Sequence, residues 1–267
     1  MSRTLMQVRE LAAWGLDEDE YRAAAYSGDV DAARAALARR APFDAASALD
    51  PEKTDALQTS FAQQETRSDL LAEVAGLTWS LGVVDLRQLL AFQRRITLDP
   101  ALAEPKLPAA DDWAALIDLC FARPKEVHCD VQHEDGALVL RSENPNMQVR
   151  ITGDVASPVA VHTGSPFFEV AEYRGRWFLR DGYHRAYSCL RAGVFHLPAV
   201  IVHAKTLEEL GAVRPWFFAE DTLLSARPPR VLDFLDDALV LRYPRRPLVK
   251  TIRITIEETY TLEGEAR

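Results

Sequence analysis

The sequence has few cysteines, no long apolar run and no excess of positive charge. Cys120, Cys129 and Cys189 are odd in number and irregular in spacing, which excludes a disulfide framework as the organising device. No apolar stretch reaches the roughly 18 residues of a membrane span, so no membrane-spanning helix is expected. Acidic residues outnumber basic ones, 40 against 31, for a formal net charge of −9. A surface of that sign cannot neutralise a run of phosphates, which argues against nonspecific nucleic-acid binding by the whole molecule. The N-terminal stretch carries acids from Glu10 onward and has no continuous apolar core. No signal peptide is therefore expected, and the expectation is a cytoplasmic protein.

What is present is concentrated in one stretch. Trp177, Phe178 and Leu179 read as the end of a strand, and Asp181-Gly182 breaks it. A short helix then runs to about Ala192, with Gly193 at the left-handed C′ position. Strand, Asp-Gly turn, helix is a geometry that turns free backbone N–H groups and a positive dipole end toward whatever lies in front. His184 and Arg185 fall in that first helical turn, so the stretch suits a phosphate or another anion. Asp181 reads first as an N-cap, its carboxylate accepting from backbone N–H groups, and second as a catalytic or metal-bound carboxylate. Tyr183, Ala186, Tyr187 and Leu190 share the apolar face of the helix. His184, Ser188 and Arg191 share another.

The chain has 267 residues with 48% hydrophobic and 27% charged, which suits one large domain with appendages or two domains. Residues 1 to about 65 read as helical. Leu5, Val8, Leu11 and Ala12 have helical spacing, Asp17 is placed to cap a helix over 21–26, and 30–40 is an Ala-rich helix. Residues 51–59 read as a linker or a cap, and 60–75 as a further helix. Residues 78–84 are β-rich, and Asp85 with Gln88 has capping-box spacing for a helix ending at Gln93-Arg94-Arg95. Residues 111–121 form a short helix. Alternation over 126–141 around Asp135-Gly136 predicts a β-hairpin, and 167–180 around Arg174-Gly175 predicts a second. Short strands are expected at 149–151, 159–162 and 199–203, and a last one near 252–256.

At Asp181-Gly182-Tyr183-His184-Arg185, with Ala186, Gly193, Pro198 and the strand after it, the sequence resembles the ParB/sulfiredoxin-like superfamily. The 81–95 segment resembles the superfamily's opening strand and helix, so the resemblance covers about 81–203 with a long insertion at about 99–147. It implies an α+β fold: a helical region over 1–75, a ParB/sulfiredoxin-like core over 76–206 and a C-terminal extension over 207–267. Members bind nucleotides at this turn, so it implies ATP, ADP or CTP as ligand, with Mg²⁺ as the accompanying ion. Sulfiredoxin carries a cysteine where this chain has Tyr183, which argues against sulfiredoxin chemistry. Free-serine kinases carry a similar Asp-Gly-His-His-Arg run, different here at Tyr183. The resemblance thus implies Gly182, Tyr183, His184, Arg185 and Ser188 as ligand-binding residues and Asp181 and His184 as catalytic candidates, for phosphotransfer or nucleotide hydrolysis. The alternative is a non-catalytic nucleotide-sensing or DNA-associated regulator. DNA is not favoured as a partner, because no helix-turn-helix unit follows the core.

Other constellations read more plainly. Glu169, in the strand before the motif, suits a general base, although no spacing ties it to the turn. The loop at His162-Thr163-Gly164-Ser165 fits either a phosphate contact or a simple turn. Cys120, His128, Cys129 and His133 do not match zinc spacing, so no metal ligands are assigned. Arg242, Arg245, Arg246, Lys250 and Arg253 form a basic run that reads as a solvated strand edge.

Overall fold

The computed structural model describes residues 4–17, 26–101, 106–125, 127–151, 159–255 and 257–258. The fold class is α+β. The chain divides into two compact units, Met1–Arg123 with Ser165–Arg246, and Pro124–Gly164 with Pro247–Arg267. These lines differ from the three sequence segments, because the C-terminal stretch contributes a strand to each unit.

The larger unit is built on a six-stranded mixed sheet. Strand His196–Ala204 lies inside it, antiparallel to Trp79–Asp85 and parallel to Glu169–Tyr173. Glu169–Tyr173 also pairs antiparallel with Arg176–Asp181, through the Arg174-Gly175 turn. Both turn residues have positive φ, 51° and 72°, the backbone a two-residue hairpin requires. Leu90–Ala91 closes one edge and Leu49–Asp50 the other. The run from Leu197 to Val202 is buried on both faces, as parallel pairing demands. A second, three-stranded sheet in this unit carries Met6–Leu11 between Val240–Arg245 and Arg95–Leu98.

Several sequence expectations hold. Helix Val30–Arg39 is capped by Asp29, which accepts from the N–H groups of Asp31 and Ala32. Helix Trp113–Cys120 is capped by Asp112, and Tyr183, Ala186, Tyr187 and Leu190 are all buried. Others are corrected. The expected N-terminal helix is a strand, because Met6–Leu11 is held on both sides and buries Glu10 against the Tyr243 hydroxyl, 2.9 Å away. The linker is helix Pro51–Ala56, with Asp50 accepting from Lys53 N–H and proline at the start of the helix. The 60–75 helix is two, Gln58–Glu65 and Ser68–Glu73, since the chain extends at Arg67, whose guanidinium donates to the carbonyls of Phe121 and Ala122. The helix expected after Asp85 is a single 3₁₀ turn, Leu86–Gln88. Leu89 and Ala91 then bond the backbone of Val231 and Pro229 rather than continuing it. The helix expected over 21–26 falls largely outside the described residues.

The smaller unit is all β among the described residues. Ala137–Ser142 is flanked by Asp130–Glu134 and Lys250–Thr255, and Gln148–Ile151 pairs with Val159–His162. Asp135 and Gly136, with φ of 49° and 75°, make the expected hairpin turn. Among the described residues no helix is long and apolar enough to cross a membrane.

Candidate functional site

The turn at 181–185 is positioned by the Glu169–Tyr173/Arg176–Asp181 hairpin. The two-residue turn pairs Val170 with Leu179, and that register would set Glu169 opposite Arg180. A bulge between Glu169 and Val170 moves it opposite Asp181 instead. The chain then turns at Gly182, with φ +100°, and enters helix Tyr183–Arg191. A Cβ on Gly182 would stand 2.6 Å from Phe168 Cδ2, so glycine is required both for backbone and for space.

This corrects the reading of Asp181 as the N-cap. Asp181 is the last strand residue, and its carboxylate bonds the Gly182 N–H just before the helix. The capping position belongs to Gly182, and no side chain caps the helix. Burial pushes the Asp181 carboxyl up to about 6, against the pull of Arg185 and of the Gly182 N–H.

Glu169 is the deepest ionisable group of the cluster, 2% exposed. Its carboxylate takes a 2.6 Å bond from Arg180 Nη1 and a hydrogen bond from the Ser165 hydroxyl. Burial still raises it to about 7, with Glu73 and Asp181 adding repulsion. The cluster thus holds Glu73, Glu169 and Asp181 against Arg180 and Arg185.

The motif residues separate into two groups. Tyr183 is buried, its ring edge-on to Phe92 and Phe234 at 6.1 Å. Its hydroxyl donates to the Leu179 carbonyl at 2.9 Å and accepts from the N–H groups of Phe92 and Gln93. Tyr183 therefore holds the 92–93 segment in place and offers nothing to a ligand. The Arg185 guanidinium donates to the carbonyls of Leu119, Pro166 and Phe167, tying a helix end to the loop before Glu169. His184 is exposed, with Nε2 donating to the Thr97 carbonyl at 2.7 Å, and Ser188 is half-buried one turn further on.

The flanking candidates are engaged in structure. Gln93 bonds the Arg95 carbonyl, Arg94 stacks 4.4 Å over Phe218, and Arg95 pairs with Asp17. The basic run divides between two strands, Arg242 and Arg245 on one and Lys250 and Arg253 on another. The Cys120 thiol is buried and pushed well up by desolvation. Among the described residues no three His, Cys, Asp or Glu side chains group to hold a metal ion.

No known family model, curated protein or solved structure matches this chain. The site therefore rests on its own geometry. The residues that sequence reasoning left out are Arg180 and Glu73. Glu169 was named without a tie to the turn. The legible signal was the hairpin: once Arg174-Gly175 fixes the register, Glu169 must fall beside residues 180–181.

Proposed function

We propose that this chain has a ParB/sulfiredoxin-like core and binds a nucleotide or another phosphorylated small molecule at the start of helix Tyr183–Arg191, for phosphotransfer or nucleotide hydrolysis. One observation carries the reading. A helix of nine residues begins at a left-handed glycine with no side-chain cap, beside two carboxyls that burial raises to about 7 and about 6. An uncapped N-terminus favours an anion through its N–H groups and dipole. His184 is the exposed first-turn side chain that reaches a phosphate oxygen, with Ser188 behind it. Asp181 and Glu169 take up the proton of an attacking hydroxyl or water, a task that suits groups titrating near 6 and 7. Mg²⁺ fits as an ion carried in by the phosphates.

The test is thermal shift with ATP, ADP, CTP and GTP, each with and without Mg²⁺, followed by phosphate release. At least one nucleotide should raise Tm by mass action, and His184→Ala should shrink the shift. No stabilisation by any of the four would sink the reading. Stabilisation without turnover points to the sensing alternative.

A further inference from the structure

Away from the turn, three polar side chains on the central sheet form a line. Ser80 Oγ lies 3.1 Å from His203 Nε2, and His203 Nδ1 lies 3.2 Å from Glu172 Oε2. They come from three neighbouring strands, Trp79–Asp85, His196–Ala204 and Glu169–Tyr173. Glu172 is in register with His203, and Ser80 opposes Ile201, two residues away and on the same face as His203. That makes Ser80 the diagonal neighbour of His203. The His203 backbone N–H bonds the Thr78 carbonyl at 2.8 Å, which fixes the strand beneath its ring.

The order of the three groups matters more than their proximity. Imidazole has one donor and one acceptor when neutral. The Glu172 carboxylate can only accept, so Nδ1 carries the hydrogen. Nε2 is then a lone pair facing a hydroxyl that donates to it. Of the two neutral tautomers only one satisfies both bonds, and it is the tautomer in which histidine removes a proton from serine. The histidine and glutamate side chains are 40% and 39% exposed, so a reactant reaches them from solvent.

We propose that Ser80 is a nucleophile activated by His203, with Glu172 as the positioning residue, and that it takes the acyl group of small activated esters. Ser80 Oγ bonds to the ester carbonyl carbon while its proton passes to His203 Nε2. The carbon–alkoxide bond then breaks, and the departing alkoxide leaves as the alcohol with that proton. Water releases the acyl group by the reverse sequence. Two clefts, of about 460 and 400 Å³, include none of the three residues. Activated esters come first as substrates, because their leaving groups ask least of the nucleophile. None of these residues belongs to the 181–185 turn, so this activity and nucleotide binding stand or fall separately.

The experiment treats the full chain with a fluorophosphonate probe and locates the adduct by peptide mass spectrometry, with p-nitrophenyl acetate hydrolysis measured in parallel. Labelling at Ser80 in the folded protein, lost in denaturant, is expected. His203→Gln should slow labelling at least about 100-fold. Glu172→Gln should slow it about 10-fold, Glu172→Asp should recover part of the loss, and both should keep the wild-type Tm. His196→Ala, a histidine of the same strand, should change nothing. An unlabelled wild type, an adduct elsewhere, or His203→Gln reacting at the wild-type rate overturns the proposal. Because the adduct is mapped on the wild type, no variant has to fold for the test to decide.

Discussion

Glu169 and Glu172 lie three residues apart on one strand, and the sheet puts them to opposite uses. Glu169 is 2% exposed and needs Arg180 and Ser165 merely to be tolerated. Its carboxyl rises to about 7 all the same, because neither partner offsets the loss of water. The Glu172 side chain is 39% exposed and holds His203 by one bond of 3.2 Å. Depth rather than residue type separates them. The buried carboxyl is coupled to the fold, so disturbing its surroundings should disturb stability. The exposed one orients a neighbour at little energetic consequence, so removing it should alter reactivity alone.

The sharpest way to break this contrast is at the buried end. Gly182→Ala puts a Cβ 2.6 Å from the buried Phe168 ring at φ +100°. Overpacking and a left-handed backbone together should cost about 3 kcal/mol or more, read by urea denaturation. A cost below about 1 kcal/mol would mean that the turn yields easily and that its geometry is not fixed. Next is Arg185→Ala, which leaves the carbonyls of Leu119, Pro166 and Phe167 without their donor, for a loss of about 2–3 kcal/mol. Arg185→Lys should recover little, since a compact ammonium does not span the oxygens that two guanidinium nitrogens reach. Full stability in Arg185→Ala would return the guanidinium to the list of ligand contacts.

Much of this was legible in the sequence. The helices over 30–40 and 111–121 and the two hairpin turns follow from composition, spacing and turn chemistry confined to a few residues, and the apolar face of helix Tyr183–Arg191 follows from its spacing. The failures are tertiary. Met6–Leu11 has residues that fit either period, and only the strands on each side of it decide for β. Leu86–Gln88 begins as a helix should, but Val231 and Pro229 take the next backbone groups. At the site, the Asp-Gly turn and helix were plain. The different tasks of Tyr183, His184 and Arg185 were not, because Phe92, Thr97 and Leu119 come from distant parts of the chain. The alignment of Ser80, Glu172 and His203 likewise exists only once three strands are in register.

The pH dependence of stability tests the buried carboxyl directly. The ordinary value for Glu169 is 4.5, and burial in the fold raises it to about 7. Between those values the folded chain holds more protons than the unfolded chain, so stability falls as pH rises from about 4.5 to about 7 and is flat above. Asp181 adds a decline in the same direction, ending near 6. For Glu169 the effect is on the order of 3 kcal/mol across its window. Glu169→Gln should flatten that part of the curve in denaturation experiments at pH 5 and pH 8. A variant curve parallel to the wild type would show that Glu169 is already ionised at pH 5, and the burial argument would fail.

The smallest expected effect is the most demanding test, because it asks the exposed half of the comparison to show almost nothing. Glu172→Gln removes a charge from a half-exposed pair in which water screens the attraction and ordering two side chains offsets much of the gain. The stability change should stay within about 0.5 kcal/mol, and Tm should barely move. Glutamine keeps the shape and an acceptor oxygen but drops the charge, and its amide can also donate, so Nδ1 loses its fixed partner. The His203 ring is then free to take the other tautomer, and Ser80 loses its base without the sheet losing its register. A stability loss above about 1 kcal/mol would reveal Glu172 as part of the framework after all, with its bond to His203 a cross-strand tie like any other. An unchanged Tm together with slowed labelling of Ser80 places the role of the carboxylate in orienting the imidazole and stabilising the imidazolium it becomes, not in holding the sheet.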